Sequence, residues 1–111
     1  MIHEMKLWHE SFVKIKERTK TIEMRLLDEK RSSISVGDTI TFTDTSNNEK
    51  AECLVINIYR YPSFEELYRQ HDKVSIGYNE DENADPKDML AYYSEGMIEQ
   101  YGVVAIEIQV Q

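Results

Sequence analysis

With 111 residues, 41% of them hydrophobic, the chain is long enough to bury one core without disulfides or a structural metal, and its formal net charge is -8. That balance excludes generic duplex binding, which needs clustered Lys and Arg to neutralise phosphates. No apolar run approaches membrane-spanning length, the N-terminus lacks the basic-then-apolar order of a secretory signal, and the lone cysteine, Cys53, sits in an apolar pattern. A reducing, cytoplasmic setting without membrane contact is the expectation.

The charge is uneven. Residues 1–31 hold eight Lys or Arg against six acids, a net of +2, while residues 32–111 hold five against fifteen, a net of -10. A basic mouth on an acidic body suits a nucleotide or a short single strand better than a long polyanion.

Ile2 to Leu7 alternates and places His3, Met5 and Leu7 on one side of a first strand. Trp8, Phe12 and Ile15 then stand at i, i+4 and i+7, a narrow stripe that predicts a helix packed onto a barrel. Trp8 is read as core, with base stacking as the sharper alternative. Glu10 and Lys14 are spaced to pair on the wet side. After Arg18-Thr19, Lys20 leads into a strand with Ile22, Met24 and Leu26 on one face and Thr21, Glu23 and Arg25 on the other.

Asp28 to Ser35 is polar and turn-like, and Gly37-Asp38 introduces a strand from Thr39 to Thr43 with Ile40 and Phe42 inward. Asp44 to Lys50 reads as a hairpin-like connection. Ala51 to Tyr61 is the longest strand, and its run Cys53-Leu54-Val55-Ile56 predicts burial on both faces. Ser63 and Glu66 form an S-x-x-E capping box that opens a helix with Phe64, Leu67 and Tyr68 on one side. Asn79 to Asp85 is an acidic loop. Asp85 as N-cap, Pro86 at the first helical position and Asp88 in the first turn predict a helix through about Ser94, broken by Gly96. Val103 to Val110 closes the chain as a strand inside the barrel. Without repeats or linkers the chain reads as one domain over residues 1–111. Its α+β order predicts a small mixed or antiparallel barrel of about five or six strands with helices outside.

Chemistry concentrates where the first helix gives way to the charged strand. Residues two apart on a strand face lie roughly 6.5 Å apart, so Glu23 and Arg25 can touch one ligand or each other, and Lys20 reaches the same place. Arg25 offers a planar fork for phosphate or carboxylate, Lys20 a point charge, and Glu23 an acceptor for an exocyclic amine. Together they suit a nucleotide or nucleobase. The bland alternative is a rim cluster that pairs internally and binds nothing. Tyr92, Tyr93 and Tyr101 are candidates to stack on a base, with packing an equal alternative.

The run Lys20-Thr21-Ile22-Glu23-Met24-Arg25-Leu26, then Asp28, Lys30 and Arg31, then Val36-Gly37-Asp38-Thr39-Ile40-Thr41-Phe42, resembles the core signature of the ASCH domain family. That family belongs to the PUA-like superfamily. Trp8, Phe12 and Ile15 upstream and Tyr101-Gly102-Val103-Val104-Ala105-Ile106 downstream extend the resemblance over most of the chain. It implies a PUA-like barrel, and RNA or a modified nucleoside as ligand for Lys20, Glu23 and Arg25. Family members often place Gly where Arg18-Thr19 stands here.

Some small bacterial members are amidohydrolases that remove the acetyl group from cytidine acetylated on its exocyclic amine. The resemblance implies a Lys at Lys20, a Thr nucleophile at the position of Glu23, and a distal Glu that aligns loosely with Glu82. The nucleophile position is a carboxylate here, and Thr21 is not the matching position. A carboxylate beside a lysine favours the ammonium form, which makes a poor base. The hydrolytic version left open has Glu23 activating a water while Lys20 and Arg25 stabilise the oxyanion. RNA or nucleotide binding is the preferred expectation, hydrolysis through Lys20, Glu23 and Glu82 the alternative, and a protein-interaction module acting through the acidic loop and tyrosines the third. No cofactor is implied.

Three motifs are set aside. Asp81, Asn83 and Asp85 have the spacing of a calcium loop, but Pro86 stands where Gly is required and Tyr92 where Glu is. His3, His9 and His71 have no metal-site spacing with Cys53, so no metal is expected. Ser11 and Lys14 match S-x-x-K without the partner motifs of the enzymes that use it.

Overall fold

Along the computed structural model, which describes residues 1–111, β1 (Ile2–Leu7), α1 (His9–Lys16), β2 (Ile22–Leu26), α2 (Glu29–Ser32) and β3 (Thr39–Asp44) come first. β4 (Lys50–Tyr61), α3 (Phe64–Gln70), a 3-10 turn (Pro86–Ala91), α4 (Glu95–Tyr101) and β5 (Val103–Val110) follow. The strands form one curled sheet in the order β1-β3-β4-β5-β2, with β1 parallel to β3 and every other pair antiparallel. The result is a half-barrel of five strands flanked by helices, consistent with a PUA-like fold.

Period-two patterning builds two apolar layers, one on each face of the sheet. Met5, Leu7, Ile40, Phe42, Cys53, Val55 and Ile106 turn to the inner face, where Phe12 and Ile15 of α1 cover them. Ile22 and Leu26 of β2 turn to the outer face and pack with Phe64 and Leu67 of α3, Ile76 and Met89. β1 and β2 are the two sheet edges, and side chains span the opening between them: Arg25 Nη2 donates to the Lys6 carbonyl at 2.8 Å and Lys30 Nζ to the Glu4 carbonyl at 3.2 Å.

Several local expectations are corrected. Ile56 is the extra residue of a β-bulge: Val55 pairs with Ile108 and Asn57 with Glu107, so Ile56 opposes nothing and is exposed. The run Cys53-Leu54-Val55-Ile56 is therefore buried on one face only, and the bulge resets the alternation so that Ile58 joins the inner layer while Tyr59 and Tyr61 join the outer. Trp8 is not core. It is the N-cap of α1 and is 67% exposed. Glu10 and Lys14 do not pair, because Lys14 Nζ donates to the Gly77 carbonyl at 2.8 Å. The polar stretch after Asp28 contains α2, capped by the Asp28 side chain.

The predicted helix after Asp85 is a 3-10 turn that stops at Ala91. A separate helix, α4, is capped by Ser94, whose Oγ accepts from the Met97 N–H at 3.2 Å, and Gly96 lies inside it. The two caps read as one helix because each is a valid start and only six residues of the first are wound. No helix is long and apolar enough to cross a membrane, and no three His, Cys, Asp or Glu gather as a metal site.

Candidate functional site

Three backbone devices assemble the site. β2 alternates, so Glu23 and Arg25 lie in register with Ile106 and Val104 on the inner face. The charged face of this strand thus points into the half-barrel, not away from it. Arg18 adopts a left-handed φ of 67°, and the Thr19 and Lys20 N–H groups both donate to the Lys14 carbonyl, which turns the chain sharply from α1 to Lys20. The segment after α3 closes the other side, where the Ser75 carbonyl accepts from Thr21 and Ile22 N–H at 3.0 and 2.9 Å.

Gly77 completes that side at φ +117°, where a Cβ would stand 3.3 Å from Lys20 Cδ. Only glycine gives the loop both that conformation and that approach.

At the floor, Lys20 Nζ lies 2.8 Å from Glu23 Oε1 and Arg25 Nε donates to Glu23 Oε2 at 2.6 Å. Glu23 is 3% exposed and Lys20 7%. Burial pushes the Glu23 carboxyl up, but the Lys20 and Arg25 cations and their hydrogen bonds outweigh it and hold the group below its ordinary value. Burial, with the Glu23 charge adding to it, pushes the Cys53 thiol up to about 11, so Cys53 is a packed, inert thiol.

Above this floor opens a cleft of about 540 Å³. Trp8 and Tyr92, both more than half exposed, stand on its walls with Tyr68, Tyr78 and Tyr93. Tyr68 and Tyr78 are fixed: their hydroxyls meet at 2.9 Å, and the Tyr78 hydroxyl donates to Asp88 Oδ2 at 2.7 Å. Tyr93 stacks on Phe64 at 6.1 Å and so is partly a packing residue, while Tyr101 does not line the cleft. Lys6, Lys14, Lys20 and Arg25 face Glu10, Glu23, Glu82 and Asp88, so the lining is balanced in charge.

The structure thus brings Lys20, Glu23 and Arg25 together and sets Glu82 on the same cleft, its Oε1 accepting from the Asn79 N–H at 2.6 Å. Ser11 and Lys14 also line it without bonding each other: Lys20 Nζ, not Lys14, is 3.5 Å from Ser11 Oγ. Sequence reasoning did not find Lys14, Gly77 or the exposure of Trp8. Gly77 carried a signal, as the only glycine between Gly37 and Gly96.

The ASCH domain model matches residues 5–111. The chain belongs to the ASCH domain family. Its likeness to solved structures agrees: hypothetical protein PH0355 superposes with a TM-score of 0.85 at 32% identity, both chains covered in full. Protein PF0455 from Pyrococcus furiosus gives a TM-score of 0.78 at 35% identity, covering 99% of this chain and 97% of its own. A point mutant of ZmASCH from Zymomonas mobilis shares the fold at 14% identity and a TM-score of 0.69, over 98% of this chain and 70% of its own. No curated protein matches the chain. In this ASCH domain the cleft has aromatic walls and a charged floor.

Proposed function

We propose that this ASCH domain binds single-stranded RNA or a nucleotide by taking one base into the cleft. The base stacks on the aromatic walls while its polar edge meets Lys20, Glu23 and Arg25. The observation that carries this reading is the placement of Trp8 and Tyr92. Two large aromatics left 67% and 60% exposed flank a cleft whose floor offers both donors and an acceptor. Unstacked bases are held in that way, between aromatic faces and groups that read the Watson–Crick edge. A duplex cannot present such a base without opening.

Trp8 is the only tryptophan, so its fluorescence reports occupancy. Titration with short homopolymeric RNA strands is expected to quench it saturably, and a duplex of equal length is not. Tyr92→Ala and Arg25→Ala are expected to weaken binding about tenfold each, within the range of a lost stacking or charged hydrogen-bond partner. Absence of quenching, or affinity unchanged in both variants, would overturn the proposal.

Hydrolysis is the less supported reading. A carboxylate with a cation on each oxygen, held below its ordinary value, is a weak general base, and Lys20 is occupied by that carboxylate. Cytidine acetylated on its exocyclic amine is expected to survive incubation. Product formed by the wild type and lost in Glu23→Gln would establish the hydrolase instead.

A further inference from the structure

Resting on that reading, we propose that a side extension of the cleft holds the sugar of the bound nucleoside, and that the Glu10 carboxylate accepts from its 2′-hydroxyl. The site then selects ribonucleosides over deoxyribonucleosides. The extension is an open groove of about 440 Å³ lined by Trp8, His9, Glu10, Ser11 and Tyr92. Four of these also line the main cleft, and only His9 is its own. A sugar carried by a base stacked on Trp8 or Tyr92 therefore has the groove beside it.

The groove offers one unpartnered acceptor. Lys14, spaced to neutralise Glu10, donates to the Gly77 carbonyl instead, which leaves the Glu10 carboxylate on the wall without a protein partner. His9 is oriented from behind by Asp44. That carboxylate is wholly buried, accepts from the Ser46 N–H at 2.9 Å and the Ser46 hydroxyl at 2.7 Å, and lies 2.7 Å from His9 Nδ1.

Burial pushes the Asp44 carboxyl up, but the hydrogen bonds from His9 and Ser46 hold it below its ordinary value, so it is ionised and only accepts. The ring hydrogen is therefore on Nδ1.

No lysine or arginine lines the groove, and Glu10 repels an anion there, so a phosphate is disfavoured. A hydroxyl is favoured, because its one hydrogen can be donated to the unpartnered Glu10 carboxylate. The 2′-hydroxyl is the donor that separates RNA from DNA at such a place.

The test follows Trp8 fluorescence with the four ribonucleosides and the four 2′-deoxyribonucleosides as probes. Wild-type protein is expected to bind a ribonucleoside about tenfold more tightly than its deoxy counterpart, the effect of one hydrogen bond to a charged acceptor at a partly exposed site. Glu10→Ala is expected to abolish the difference between ribonucleoside and deoxyribonucleoside affinity. Glu10→Gln, which keeps an acceptor oxygen, is expected to retain part of the preference. Glu10 has no protein partner to lose, so its variants are expected to stay folded. Equal binding of the two sugars, or a preference that survives Glu10→Ala, would overturn the inference and leave the base-binding reading standing. Absence of quenching by every nucleoside and by RNA would remove both.

Discussion

At Glu23 a carboxylate 3% exposed holds Lys20 at 2.8 Å and Arg25 at 2.6 Å, so removing it strands two cations at the base of the cleft. Glu23→Ala is expected to destabilise the protein by about 3 kcal/mol, as breaking one side of a buried pair does, and Glu23→Gln by less. Urea unfolding measures this as a lower midpoint at unchanged slope. The same group makes stability depend on acid. Its folded-state value lies below the ordinary 4.5, so the stability it contributes is present above the unfolded value and is lost as pH falls through the folded one.

Asp38 acts in the same direction more measurably. Hydrogen bonds from His3 and the Ser35 N–H, with the N-terminal ammonium adding to them, hold it down from 3.8 to about 2. Wild-type stability is expected to fall as pH drops from 3.8 towards about 2, and Asp38→Asn to begin lower at neutral pH and lose less across that window. Parallel curves for the two proteins would remove Asp38 from the account.

Among the elements, two turns decide where Lys20 sits, and each makes a prediction. Arg18 occupies the left-handed region at φ 67°, a conformation that costs an L-residue about 1 kcal/mol. Arg18→Gly is therefore expected to raise the unfolding free energy by up to about 1 kcal/mol, the gain limited by glycine's looser unfolded chain. Gly77 is the converse case, at φ +117° with Lys20 Cδ 3.3 Å from where a Cβ would stand. Gly77→Ala is expected to cost more than about 1 kcal/mol and to weaken RNA quenching of Trp8, because Lys20 must give way. A thermal midpoint within error of wild type would contradict this.

These turns also mark how far the sequence could be read. Alternation over Lys20 to Leu26, the closing strand and the Ser63 and Asp85 caps were legible because period and capping are local. Three features depend on tertiary partners and were not: the exposure of Trp8 at a helix start, the bulge at Ile56, and the turn that stops at Ala91. The residues Lys20, Glu23 and Arg25 could be named from the strand face. That this face points into the half-barrel, against α1 and the Gly77 loop, could not, because a single strand does not say which of its two buried faces is the inner one.

Across the whole molecule, a body with a net charge of -8 repels a polyanion, whereas four basic and four acidic side chains balance within the cleft. Attraction to RNA must therefore be short in range and confined to the base and sugar in the cleft and the phosphate next to them. For single strands the logarithm of affinity falls with the logarithm of salt at about 0.7 per phosphate neutralised. One or two contacted phosphates predict a shallow slope, about -0.7 to -1.4, over roughly 50 to 200 mM salt. The same confinement predicts that affinity stops rising after two or three nucleotides, because further phosphates meet an acidic surface. Titrating RNA strands of two to ten nucleotides across that salt range tests both. A slope of about -4, or affinity that climbs steadily with length, would require a phosphate track outside the cleft. The small basic excess of residues 1–31 would then have to be a binding surface in its own right, and Arg18, Lys16 and Lys30, which do not line the cleft, would be the side chains to substitute.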